Sequence, residues 1–158
     1  MSSIAARLAE LGIVLPGVAA PVAAYVPAVR TGRHVWTSGQ LPFVDGRLGV
    51  TGKVGDGEGL VSTEVAAGLA RTAVLNALAA VAAEIGSLDK VTRIVKVTGF
   101  VASDPSFTGQ PAVINGASLV LKEIFGAAGV HARSAVGVAV LPLDSPVEVE
   151  LVVEVAEG

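Results

Sequence analysis

Cysteine is absent from the 158-residue chain, which excludes a disulfide framework, a thiolate nucleophile and any cysteine-based metal site. A thiol-free composition fits a reducing compartment. Histidine occurs only at His34 and His131, too few for a typical zinc triad. Charge is also scarce, at 16% of residues, with 11 Lys and Arg against 14 Asp and Glu. The resulting net charge of −3 and a pI near 5.3 argue against a nucleic-acid partner, because affinity for phosphate backbones comes from clustered basic side chains. What the chain has instead is apolar residue: 52% of positions, for a mean hydropathy of +0.69. That composition excludes disorder, and on so small a protein it suggests that a second copy covers part of the surface. The length is one domain's worth, so residues 1–158 read as a single domain with residues 1–20 as an N-terminal extension.

Leu11 to Val29 is a 19-residue run without charge. Pro16, Pro21 and Pro27, with Gly12 and Gly17, interrupt it, and proline removes helix hydrogen bonds, so a spanning helix is not expected. A signal peptide needs an unbroken apolar centre after a basic start, and Glu10 and Pro16 break it; the expected location is the cytoplasm. The alternative is a short amphipathic helix, Ser3 to Leu11, followed by extended chain.

Ala24 to Arg30 and His34 to Ser38 read as strands around a Thr31-Gly32 turn, and Asp45-Gly46 marks a second hairpin within Phe43 to Leu48. Lys53 to Gly59 is a loop. A long helix starts at a Ser62 or Thr63 cap with Glu64 in its first turn. Val74, Leu78, Val81 and Ile85 form its apolar stripe, and Gly86 ends it, with Leu88 placed to fold back. Val91 to Ala102 is a long β-branched strand, broken at Asp104-Pro105. Gln110 to Gly126 carries a second helix with Ile114, Leu121 and Phe125 on one stripe. Ser134 to Leu141 and Val147 to Val155 are the last strands. This order fits an α+β fold in which two helices lie on one face of one mixed sheet.

Several polar groupings do not add up to a site. Gly55-Asp56-Gly57-Glu58-Gly59 lacks the spacing of a phosphate loop, and nothing completes a cation cage around Asp56 and Glu58. A His131–Ser134–Asp144 triad lacks the glycines of a nucleophile elbow. Asn76, mid-helix among alanines, reads as a core or interface hydrogen-bonding group.

The stronger signals lie near the C-terminus. Alternation puts Glu148, Glu150 and Glu154 on one face of the last strand, which for any one of them is satisfied by a solvated face. Arg133 stands at the mouth of an uncharged strand, as a structural ion-pair partner or as a rigid fork for a carboxylate. If the last two strands formed a simple hairpin, Arg133 would lie about 20 Å along from Glu148 at ~3.3 Å per residue. The two could then line one pocket only with a strand between them or with two subunits contributing.

Thr37-Ser38-Gly39-Gln40-Leu41-Pro42, the strand through Val95-Lys96-Val97, and Ala132-Arg133-Ser134 followed by Leu141-Pro142 and Val147-Glu148-Val149-Glu150 resemble the Rid (YjgF) family from about Tyr25 to Val155. The resemblance implies a chorismate-mutase-like α+β fold assembled as a homotrimer with clefts between subunits. It further implies the family's deaminating branch, which hydrolyses reactive 2-imino and enamino acids such as 2-aminoacrylate to 2-oxo acids and ammonia. In that reading Arg133 holds the substrate carboxylate and Glu148 serves the reacting water. Tyr25, Ser38, Asn115, Ser134 and Ala135 match other pocket positions. The implied partners are a small imino acid and two further copies of the chain, with no membrane, no metal and no cofactor. At Ala135 the family often has cysteine; alanine suffices if only the backbone there orients water and substrate. A non-catalytic carboxylate-binding or partner-binding trimer on the same fold is the alternative.

Overall fold

The computed structural model describes residues 2–18 and 24–158. Pro21, one of the prolines read as breaking the apolar run, lies outside them, as does the end of the extension beyond residue 18. Five strands form one mixed sheet, β1 (Ala28–Thr31), β2 (His34–Thr37), β3 (Val91–Ala102), β4 (Ala132–Val138) and β5 (Val147–Val155), in the order β1-β2-β5-β3-β4. All neighbours are antiparallel except β3 and β4, which run parallel because α3 (Gln110–Phe125) crosses between them. The other helices are α1 (Ile4–Glu10) and α2 (Thr63–Ile85).

Local chemistry explains most boundaries. Ser62 caps α2 by accepting from the Val65 N–H, and Gly86 ends it at φ 85°, a left-handed conformation that costs glycine little. Leu88 is buried just beyond, as expected of a residue folding back on the last turn. Ser3 caps α1 from outside, which trims the expected Ser3–Leu11 helix by one residue at each end. β1 begins at Ala28 rather than Ala24, because Pro27 has no N–H to give the ladder; its carbonyl instead accepts from Ser38. The expected Phe43–Leu48 hairpin shrinks to one bridge, Val44 to Arg47, closed by Asp45 and Gly46 at positive φ.

Both long helices lie on one face of the sheet. The alanines of α2 (Ala66, Ala70, Ala73, Ala77) are fully buried and let it nest between the strands and α3. A side chain at Gly116 of α3 would collide with the Ala67 carbonyl, and one at Gly99 of β3 with Ile114. Glycine at these two points lets α3 press onto both α2 and the sheet. α2 and the Gln110–Gly129 segment are long and apolar enough to cross a bilayer, yet much of that apolar surface is buried against the sheet and between the helices. Asn76 donates from Nδ2 to the carbonyls of Leu41 (2.9 Å) and Phe43 (3.1 Å), tying α2 to the chain that leaves β2. α1 is fastened at the far end, where the Ile4 N–H donates to Asp89 Oδ1 at 2.6 Å and Arg7 Nε to the Glu123 carbonyl at 2.9 Å.

The opposite face of the sheet is covered by no element among the described residues. It carries Val29, Trp36 and Val136, exposed by 52%, 52% and 43%, alongside the half-buried Phe100 and Val152. An apolar sheet face of this kind is what self-association buries.

Candidate functional site

The register assigns each candidate side chain to a face. Val97, Gly99 and Val101 of β3 point at the helices, and their partners are Arg133, Ala135 and Gly137 on β4 and Leu151, Val149 and Val147 on β5. Thr98 and Phe100 point the other way, with Ser134 and Val136 on β4 and Glu150 and Glu148 on β5. Arg133 and Glu148 therefore stand on opposite faces of one sheet. Two strand spacings and three residues separate their Cα atoms, roughly 14 Å at ~4.8 Å and ~3.3 Å each. β3 does intervene between β4 and β5, so the simple hairpin does not form.

Arg133 sits in β4, not at its mouth, because the strand begins at Ala132 and ends at Val138 instead of spanning Ser134 to Leu141. Pairing with Lys96 to Ala102 of β3 sets those limits. On the helix side, Arg133 Nη1 donates to Asn115 Oδ1 at 2.8 Å and to Ser118 Oγ at 3.2 Å, both on α3. Its Nε and Nη2 make no hydrogen bond among the described residues. One nitrogen of the guanidinium is thus anchored, and the remaining edge presents parallel N–H donors with the spacing of a carboxylate. Asn115 enters the site as the holder of that fork. Ala135 lies on the same face, packed against the core.

Glu148 occupies the other face. A Cβ on Gly39 would collide with the Glu148 carboxylate, so glycine in the Ser38-Gly39-Gln40 turn is what lets the acid lie flat against the backbone. That turn is held by paired bonds between Gln40 and Val149 and by Thr37 Oγ1, which accepts from the Leu151 N–H at 2.9 Å. Ser38 Oγ donates to the Val26 carbonyl at 2.6 Å, which brings the segment bearing the exposed Tyr25 alongside. Burial pushes the Glu148 carboxyl above its ordinary range, and the charge of Glu150 pushes it further in the same direction. Glu154, on the same face, is spent on Arg33 (3.4 Å) and Thr92 (3.0 Å), whereas Glu148 takes no ion pair among the described residues.

One chain therefore brings together Arg133, Asn115 and Ala135 on the helix side, and Tyr25, Ser38 and Glu148 on the open side. Ser134 is apart from Arg133: its hydroxyl is on the open face, where Lys96 Nζ donates to it at 3.1 Å. His131 turns to Ser118 and Gly129, not to Ser134 or Asp144. A hollow of about 180 Å³ lined by Val14, Phe43, Thr72 and Asn76 contains none of the candidate residues. Sequence reading passed over Gly39 and Ser118 as site residues. Gly39 was visible inside the Ser-Gly-Gln motif, and Ser118 as a second polar residue three positions after Asn115 on an apolar helix.

A family described as "YjgF/chorismate_mutase-like, putative endoribonuclease" matches residues 5–155. The chain belongs to this Rid/YjgF family. Protein TCP17 of Trypanosoma cruzi is 46% identical over 152 residues, covering 96% of this chain and 93% of that one. The crystal structure of a "putative endoribonuclease" from Shewanella oneidensis is 33% identical and superposes with a TM-score of 0.91 over 98% of this chain and 100% of that one. The structure of Escherichia coli TdcF with bound serine is 26% identical, with a TM-score of 0.59 over 89% of this Rid/YjgF chain and 93% of that one.

Proposed function

We propose that this protein hydrolyses reactive 2-imino and enamino acids to 2-oxo acids and ammonia, in clefts between the copies of a homotrimer. The observation that carries the reading is the Arg133 guanidinium, immobilised through Nη1 on Asn115 and Ser118 while its Nε–Nη2 edge takes no partner among the described residues. A fork prepared in this way suits an α-carboxylate, and TdcF, its relative, binds serine, which carries one. The cleft draws on two copies because Arg133 and Glu148 face opposite sides of their own sheet, and because the apolar open face calls for cover. In each cleft Arg133 comes from one copy, and Glu148, with Ser38 and Tyr25, from the next.

The chemistry follows from those two groups. An enamino acid tautomerises to the imine, whose carbon is electrophilic. Glu148 as carboxylate accepts a proton from water while the oxygen bonds to the imine carbon, giving a carbinolamine. Glu148 then returns the proton to nitrogen, takes up the carbinolamine hydroxyl proton and delivers it to the same nitrogen as the C–N bond breaks and the C=O bond forms, so that ammonia leaves and the 2-oxo acid remains. The step is redox-neutral and its atoms balance with water alone. A carboxyl held above its ordinary range exchanges protons nearer neutrality than a solvated one, which suits both halves of the cycle. Ala135 supplies only backbone, so no side-chain thiol takes part. RNA cleavage, the activity named in the family description, finds less support: the net charge is −3, and the open face presents Glu148 and Glu150.

The test is ammonia release from imines generated in situ by an amino-acid oxidase or a serine/threonine dehydratase, across several parent amino acids. Release above the spontaneous rate, proportional to protein, is expected for at least the small imines. No acceleration across the panel would overturn the deaminase; if pyruvate still bound calorimetrically, the protein would be a carboxylate-binding member of the family.

A further inference from the structure

The Arg133 anchor does not end at α3. His131 Nδ1 lies 2.6 Å from the Gly129 carbonyl, and a carbonyl can only accept, so Nδ1 carries the ring hydrogen. His131 is half buried beside the Arg133 guanidinium, an arrangement that favours the neutral ring. A neutral ring with its hydrogen on Nδ1 has a bare Nε2, which must accept from the Ser118 hydroxyl 2.9 Å away. With its hydrogen committed to His131, Ser118 Oγ has only lone pairs left for Arg133, and it accepts from Nη1 at 3.2 Å. Asn115 Oδ1 takes the other Nη1 hydrogen at 2.8 Å. Every donor in this chain has a single direction open to it. Its far end is fixed too, because a side chain at Gly129 would collide with the Leu121 carbonyl, which pins that segment onto α3.

We propose that Ser118 and His131 are positioning residues: the chain Arg133 Nη1 to Ser118 to His131 to the Gly129 carbonyl fixes the guanidinium plane so that its Nε–Nη2 edge meets the substrate carboxylate. The inference rests on the proposed carboxylate-anchoring role of Arg133. Asn115 alone leaves the guanidinium free to swing about one contact; the second contact removes that freedom, and His131 determines that Ser118 accepts at that point instead of donating. Neither residue touches substrate.

The test compares wild type, Ser118→Ala, Ser118→Thr and His131→Ala by KM, kcat and calorimetric affinity for pyruvate, with the histidine tautomer read by nitrogen-15 NMR. Wild type should show His131 neutral with hydrogen on Nδ1. Ser118→Ala and His131→Ala should each weaken pyruvate binding and raise KM about tenfold, the scale of one hydrogen bond to a charged group, while kcat stays within about twofold. Ser118→Thr, which keeps the hydroxyl, should recover wild-type values, a rescue that a merely structural role would not produce. Unchanged KM and affinity in Ser118→Ala, or hydrogen on Nε2 of His131, would overturn the inference. If wild type turns over no imine but binds pyruvate with this same dependence on Ser118, the deaminase reading fails and the positioning role stands. If wild type binds no pyruvate, the positioning role fails with its ligand.

Discussion

Arg133→Ala lowers kcat/KM for small imino acids by about a thousandfold and leaves the fold and the proposed homotrimer intact. The charge-assisted fork contributes about 1.5–3 kcal/mol, up to roughly a hundredfold. Misplacement of the imine carbon relative to the water adds another factor of about a hundred at most. Arg133→Lys recovers little, because an ammonium cannot make two parallel donations in the plane of a carboxylate. The cost in stability is small, within about 1 kcal/mol, since Asn115 is solvent-exposed and finds water when its partner is removed. Coupled ammonia-release kinetics and thermal melts of the same preparations check both halves; a variant with wild-type kcat/KM would remove the carboxylate anchor from the mechanism.

Glu148→Gln separates activity from stability in the opposite sense. Glutamine fills the same space against Gly39 but cannot accept a proton from water, so kcat falls by about 10²–10⁴-fold. The folded-state carboxyl is held above its unfolded value, by burial first and by Glu150 second. Its contribution to stability is therefore fully present below the unfolded carboxylate pKa and is lost as pH rises through the folded one. At neutral pH wild type carries the cost of that half-buried charge and Glu148→Gln does not. The variant melts higher by about 1–3 °C at pH 7, a modest gain because solvent screens a half-exposed site, and the difference disappears below about pH 4. In wild type the acid limb of kcat/KM falls above the ordinary carboxylate range, and activity rises as pH increases through it. Melts at fixed protein concentration across pH 4–8, run beside the pH–rate profile, check the sign; a variant less stable than wild type at neutral pH would contradict it.

The elements with the strongest local punctuation were legible in the sequence. β3 and β5 fall where read, at Val91–Ala102 and Val147–Val155, because each is a β-branched run bounded by Gly, Pro or Asp breakers. The Glu148, Glu150 and Glu154 alternation appears as strict buried and half-buried succession along β5. α2 follows from Ser62, Glu64 and Gly86. The sequence starts β4 two residues late and ends it three residues late, because its small residues show no alternation and its limits come from pairing with β3. Strand order is also not a local property: that β3 separates β4 from β5 depends on α3 making a parallel crossover.

Of the candidate site, residue identities were legible and their grouping was not. Arg133, Glu148, Ser38 and Asn115 stand out as polar groups in apolar or glycine-containing surroundings. That Arg133 and Glu148 face opposite sides depends on one residue of register, which inverts a face and leaves no mark on composition. Ser118 shows as a second polar residue on an apolar helix, but its union with His131 in one hydrogen-bond chain does not, because a chain joining a helix to the start of a strand has no spacing rule in sequence.

In the proposed homotrimer each cleft combines Arg133 of one copy with Glu148 of another, and mixing two inactive variants is the decisive experiment. Arg133→Ala and Glu148→Gln chains, each inactive alone, are co-assembled in equal amounts and assayed for ammonia release. Random assortment leaves about a quarter of the clefts with both groups intact, so about a quarter of wild-type activity should return. Activity no higher than that of either variant alone, with mixed oligomers demonstrated by native mass spectrometry, would contradict the shared cleft.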